Sequence, residues 1–146
     1  MFIAPPFLLL IAIACSYLVS ILFPALQYDG LNISLFGLML ITSGVMLFVW
    51  GAHTLRRHKT TLHPRRKPSK LVVRGPYGYS RNPIYLGFLL ITVGTSLLFA
   101  NVLAFVGPVL FFAFVSTFII PFEEDMLSRK FGKTYHSYRK QTRRWV

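Results

Sequence analysis

Apolar residues fill three stretches of this chain, 1–26, 33–52 and 83–122, and polar residues gather in the gaps between them. None of the three stretches carries a charged side chain. Residues 7–26 are enough for one helix to cross a hydrocarbon core of about 30 Å. Pro5-Pro6 predicts the start of that helix and Pro24 its fraying end. Residues 27–32, with Asp29-Gly30, read as a short polar turn. Residues 33–52 form a second span, with Gly37 and Gly44 as close-packing points and Trp50 at the interface. Spans one and two are expected to pair as an antiparallel hairpin. The third stretch would be about 60 Å long as a single helix, twice the hydrocarbon thickness, so it must turn back. Asn101 is the best hinge, giving spans of about 84–99 and 102–121. The first of these is short, and Gly107 and Pro108 are placed to kink the second.

Charge fixes the class. The chain is 54% hydrophobic, with 16 Lys+Arg against 4 Asp+Glu, a formal charge of +12. A charge that high could suggest nucleic acid, but its distribution argues otherwise. No Lys or Arg precedes Arg56, and the basic residues fall in two blocks, 56–81 and 129–144. Basic blocks between uncharged spans follow the positive-inside pattern. Four spans put both blocks on one side, so both termini and the basic segments are expected to be cytoplasmic. The expectation is a single membrane domain over 1–146, all-α, integral and multi-pass, touching membrane lipids and no nucleic acid. The N-terminal run lacks a basic leader and a cleavage site, so it reads as a retained span. Cys15 reads as a small buried hydrophobe. His53, His58 and His63 are five apart and do not share a helix face, so no metal is expected.

Residues 74–87, RGPYGYSRNPIYLG, lie between the basic loop and the third apolar stretch. Gly75-Pro76 and Gly78 predict turns, and Asn82-Pro83 predicts a helix start, because Pro suits the first helical turn. The turn gathers Tyr77, Tyr79, Arg81 and Asn82 at a helix N-terminus. Three of the four acids, Glu123, Glu124 and Asp125, sit where the last span leaves the membrane. A carboxylate near hydrocarbon needs a partner. Arg81 and Arg129 are candidates for that pairing, and so is a ligand with cationic and hydrogen-bonding groups. In the tail, Leu127, Phe131, Tyr135 and Tyr138 fall on one helix face, interrupted at Gly132. Such a tail suits anionic lipid, or the capping of a site. Arg81 beside Asn82 could hold a ligand carboxylate, Glu123 could accept from an ammonium or a ribose hydroxyl, and Tyr77, Tyr79 and Tyr85 could face a base or a sulfonium. S-adenosylmethionine carries all of these groups, though it is not unique in doing so.

The segment Gly75-Pro76-Tyr77-Gly78-Tyr79-Ser80-Arg81-Asn82-Pro83-Ile84-Tyr85-Leu86-Gly87 resembles the signature of the isoprenylcysteine carboxyl methyltransferase-like family, which is itself similar to the phospholipid methyltransferases. A second block, Glu123-Glu124, Leu127, Phe131-Gly132, Tyr135, Tyr138 and Arg143-Arg144-Trp145, matches the family in order and spacing. Together the blocks cover about 70–145, half the chain. The resemblance implies an integral-membrane methyltransferase that takes S-adenosyl-L-methionine and releases S-adenosyl-L-homocysteine. It implies a cytoplasmic cofactor site built by the connecting loop and the C-terminal amphipathic helix. By position, Ser69, Lys70, Leu71 and Val72 match a strand-like segment along the cofactor. Tyr77, Asn82, Pro83 and Tyr85 match contacts of the first block, and Glu123 matches the carboxylate of the second. Arg81 joins this set from the charge argument.

Two departures bear on the acceptor. Asn82 replaces the usual His and cannot titrate near neutral pH. Ile119-Ile120-Pro121 stands where the eukaryotic prenylcysteine enzymes carry an Arg for the substrate carboxylate. The expected acceptor is therefore a lipid or small amphipathic molecule other than a prenylcysteine carboxylate. No catalytic residue and no oligomeric state emerge from the sequence. The alternatives are a non-catalytic membrane protein of the same fold that binds lipid or a partner protein, and a small transporter or channel subunit. The latter predicts ionisable groups within the spans, and there are none.

Overall fold

The computed structural model describes residues 5–28, 30–60 and 69–146. Asp29 of the first turn, and His63, Pro64 and Pro68 of the basic loop, lie outside the described residues. The described residues form α1 (Pro5–Leu22), α2 (Leu31–Arg57), α3 (Pro83–Leu98), α4 (Val106–Phe114) and α5 (Ile120–Gln141). A π turn, Val115–Ile119, joins α4 to α5, so these run as one rod. The result is four helical rods, three of them long and apolar enough to cross a membrane. The fourth, Pro83–Leu98, has 16 residues and is shorter. Its length of about 24 Å falls just below the hydrocarbon thickness.

The helix that the others share is α3. On one side it packs against α2 through glycines seven residues apart. A Cβ on Gly44 would stand 2.5 Å from the Gly87 carbonyl oxygen, and one on Gly94 would stand 2.6 Å from that of Gly37. Any larger residue would push the two backbones apart. On its other side α3 meets α1 and α4. Phe88 spans both sides: it stacks on Phe48 of α2 and meets Phe111 of α4 edge-on, with ring centroids 5.1 and 6.4 Å apart. The expected hairpin of the first two spans is thus not the main interface. α1 packs on α4 and α3, and α2 packs on α3. The reason is where the small residues lie. Gly37, Gly44 and Gly51 give α2 one close-packing edge, and α3 occupies it. α1 instead places Ala12 and Ser16 against Gly107 of α4.

Asn101 sits at the reversal between α3 and α4 and is fully buried. Its side chain donates to the Phe23 carbonyl (2.8 Å) and accepts from Leu103 N–H (2.9 Å). Its backbone pairs with Gln27 in an isolated antiparallel bridge. One amide therefore satisfies both reversals at that end of the bundle, where unpaired polar groups would be costly.

At the other end, Gly75–Gly78 forms a short 3-10 turn. Gly75 has φ +63°, in the left-handed region, and lies against Thr54 and Trp50 of α2. Pro83 occupies the first turn of α3. The last rod runs 40 residues, Val102–Gln141, far longer than a bilayer requires. It breaks at Gly132, where φ +47° and ψ −122° are conformations a side chain disfavours. The break redirects the last helical turns back over the 75–82 loop.

Candidate functional site

The site is built where the loop, the start of α3, the start of α5 and the C-terminal segment meet. Tyr85 lies in the first turn of α3 and is buried. Its hydroxyl donates to Glu123 Oε1 at 2.8 Å. Glu123 has no cationic partner among the described residues. Tyr77 lies close by. Burial pushes its phenol well above the ordinary tyrosine range, and the Glu123 carboxylate and the Tyr138 phenol push it further. Tyr77 therefore stays a neutral donor at any physiological pH. Three of the expected site residues, Tyr77, Tyr85 and Glu123, thus form one cluster.

The next residue faces a different environment. Glu124 is buried, and its carboxylate sits between two guanidiniums. Arg81 reaches Oε1 at 3.0 Å and Arg144 reaches Oε2 at 2.8 Å. Arg144 Nε adds a second, longer contact of 3.3 Å. The Arg81 side chain is 9% exposed, yet its Nε and Nη1 have no hydrogen-bond partner among the described residues. Two cations on one carboxylate leave an excess positive charge around Glu124, with two Arg81 donors unused. Asp125 pairs with Arg129 in the open, a contact of 2.9 Å between exposed side chains.

The C-terminal segment straps the loop in place. Asn82 Nδ2 donates to the Arg144 carbonyl at 2.9 Å, and Arg81 N–H donates to the Arg143 carbonyl at 3.0 Å. Tyr138 Oη donates to the Tyr77 carbonyl at 2.6 Å. Trp145 packs on Phe112, with ring centroids 5.1 Å apart. Asn82 is thus engaged with the strap, and Ser80 Oγ accepts from its backbone N–H at 3.1 Å. Ser69, Lys70, Leu71 and Val72 are irregular, without a strand ladder. Ser69 donates to the Lys59 carbonyl, Ser69 and Lys70 are exposed, and Val72 is buried. Tyr79 points outward and is 76% exposed, away from the cluster. The sequence places Tyr138 and Arg144 in the second block without their contacts, and it does not single out Thr142, whose Oγ1 donates to the Gly78 carbonyl at 3.5 Å. The excess of basic residues at 129–144, beside three adjacent acids, was the available signal.

Fold and site together define a multi-pass helical membrane protein with a part-buried phenol–carboxylate pair at one end, beside a C-terminal strap. The phospholipid methyltransferase family model matches residues 33–134, and the chain belongs to that family of methyltransferases with membrane helices. The chain is also 35% identical over 123 residues to protein-S-isoprenylcysteine O-methyltransferase B of Arabidopsis thaliana, covering 81% of this chain and 60% of that protein. It is 31% identical over 129 residues to protein-S-isoprenylcysteine O-methyltransferase of Schizosaccharomyces pombe, covering 86% of this chain and 51% of that protein. A Haemophilus influenzae protein described as uncharacterized is 38% identical over 63 residues, 43% of this chain and all of that one. The chain spans between about half and three fifths of the length of these isoprenylcysteine relatives.

Proposed function

We propose that the chain transfers a methyl group from S-adenosylmethionine to a lipid or small amphipathic acceptor at the cytoplasmic membrane face. The family implies the donor. The observation that carries the reading is the donor and acceptor set at the site. Glu123 is a carboxylate whose neighbour is a phenol rather than a cation, and Arg81 is a buried guanidinium with unused Nε and Nη1. A ligand bearing both an ammonium and a carboxylate fits that combination.

In this reading Glu123 accepts from the cofactor's ammonium or ribose, and Tyr85 holds Glu123 in place. Arg81 offers its free donors to the cofactor carboxylate. Tyr77, Asn82 and Pro83 line the site with the backbone of Ser69, Lys70, Leu71 and Val72. The cofactor would supply a methyl group made electrophilic by its sulfonium. Such a transfer needs alignment and the exclusion of water more than a strong acid or base. The strap through Arg143, Arg144 and Trp145 supplies both. An acceptor that is already ionised needs no general base. Ile119 and Ile120 are both buried and apolar, so no guanidinium at those positions can meet a prenylcysteine carboxylate. This supports an acceptor of different headgroup chemistry from that of the named relatives. The basic segments cluster at the site end, which supports a cytoplasmic site under the positive-inside rule.

The test is radiolabelled methyl transfer. Purified protein in liposomes of total lipid extract receives S-adenosylmethionine carrying a labelled methyl. Label entering the organic phase, and lost in Glu123→Gln, supports the reading. No incorporation by wild-type protein that binds the lipid would favour a non-catalytic lipid- or partner-binding role.

A further inference from the structure

The rod that carries Glu123 and Glu124 is not a regular helix. In the π turn, Ile120 N–H donates to the Val115 carbonyl, five residues back. Pro121 follows at once. A proline has no N–H to give to the carbonyl four residues earlier, and its ring clashes with that carbonyl in a regular α-helix. A wider turn relieves both problems, and π turns of this kind insert one residue into an α-helix.

The insertion decides which residues face inward. Phe111 and Val115 are buried against α3 and α1. An unbroken α-helix would next turn Phe118 and Phe122 toward the core, three and seven residues beyond Val115. The buried residues are instead Ile119, Ile120 and Glu124, while Phe118 and Phe122 are 60% and 43% exposed. Measured from Phe111, Ile120 and Glu124 would point roughly 180° and 140° away in an unbroken helix, so the buried face is displaced beyond Val115. At 3.6 residues per turn, Glu123 would point about 120° away from Phe111 in an unbroken helix, and absorbing one residue cuts this to about 20°. Phe111 meets Phe88, one turn along α3 from Tyr85. Without the insertion, Glu123 could not meet Tyr85 while Phe111 kept its place in the core.

We propose that Pro121 is a positioning residue: with the π turn it sets the register that brings Glu123 to Tyr85 and Glu124 between Arg81 and Arg144. The proposal concerns how the acids are placed. Only its affinity readout rests on the proposed cofactor site, and its stability readout does not.

The experiment compares wild type, Pro121→Ala, and Pro121→Ala with Ser116 deleted, each with and without Glu124→Gln. Deleting one residue of the turn lets a straight α-helix carry the acids back to their present places. In wild type, Glu124→Gln lowers the melting temperature in detergent by several degrees, because two guanidiniums lose their shared counter-ion. In Pro121→Ala it has little effect, since Glu124 has already left its partners. In the compensated deletion the loss returns. Affinity for S-adenosylhomocysteine, titrated in parallel, falls about tenfold or more in Pro121→Ala and returns to within about threefold in the compensated deletion. A variant that is merely destabilised would not regain the Glu124 effect on losing a residue. Equal Glu124→Gln losses in wild type and Pro121→Ala would overturn the proposal. So would a compensated deletion that fails to fold or to restore the loss. If wild type binds no S-adenosylhomocysteine, the cofactor reading fails, and the melting data still decide the register.

Discussion

Glu123 and Glu124 are adjacent in the chain, and they differ in what surrounds them. Glu124 meets two guanidiniums and is closed off, so its interactions are complete within the protein. Glu123 meets one phenol, leaving acceptor capacity unused. A carboxylate that is satisfied internally holds structure, and a neighbour that is not can hold a ligand. Successive helical residues point about 100° apart, so two adjacent acids on one turn of α5 face different surroundings. Arg81 belongs to the Glu124 region, with Nη2 on that carboxylate and Nε and Nη1 unused among the described residues.

The largest effect is expected from Glu124→Gln. Removing one partner of a buried ion pair costs about 3 kcal/mol or more. Here it also frees the strap, so thermal unfolding in detergent shows a lower melting temperature and limited proteolysis trims the C-terminus. An unchanged melting temperature would dissolve the contrast between the two acids. Gly132→Ala comes next. Its backbone angles cost a side chain about 1–3 kcal/mol, although no atom crowds the position. The expected signature is a loosened strap, read as faster hydrogen exchange at Tyr77 and Asn82, with α1 to α3 unaffected. Tyr85→Phe removes a single hydrogen bond to a carboxylate, worth about 1.5 kcal/mol. It is expected to weaken S-adenosylhomocysteine binding about tenfold, with a smaller fall in melting temperature than Glu124→Gln. Asp125→Asn sharpens the comparison from below. Its pair with Arg129 is exposed on both sides, and such pairs contribute less than about 1 kcal/mol, so neither readout should move measurably.

The parts of the fold that depend on local chemistry were legible in the sequence. Pro83 marks the first turn of α3, Gly132 breaks the tail, and Asn101 stands at the reversal of the 40-residue apolar stretch. Each of these residues acts through its own backbone or a near neighbour. Packing between helices was less legible. The hairpin expectation for the first two spans used adjacency in the chain, whereas the glycine spacing of α2 selects α3. The π turn was missed although Pro121 was in view, because a proline at a span's end reads as a terminus when the helix is assumed to stop there. The candidate site was legible as two blocks of residue types. Its division of labour was not, because Asn82 and Arg144 are 62 positions apart in the chain and only the folded tail brings them together.

The central claim is that Glu123 is kept for a ligand while Glu124 is spent on the fold. Calorimetric titration of the detergent-purified protein with S-adenosylhomocysteine, run beside Glu123→Gln, tests it most directly. Saturable binding is expected for wild type, at least about tenfold weaker in Glu123→Gln, with the two proteins melting at the same temperature. Wild-type affinity retained in Glu123→Gln, or no binding by wild-type protein in either detergent or nanodiscs, would contradict it.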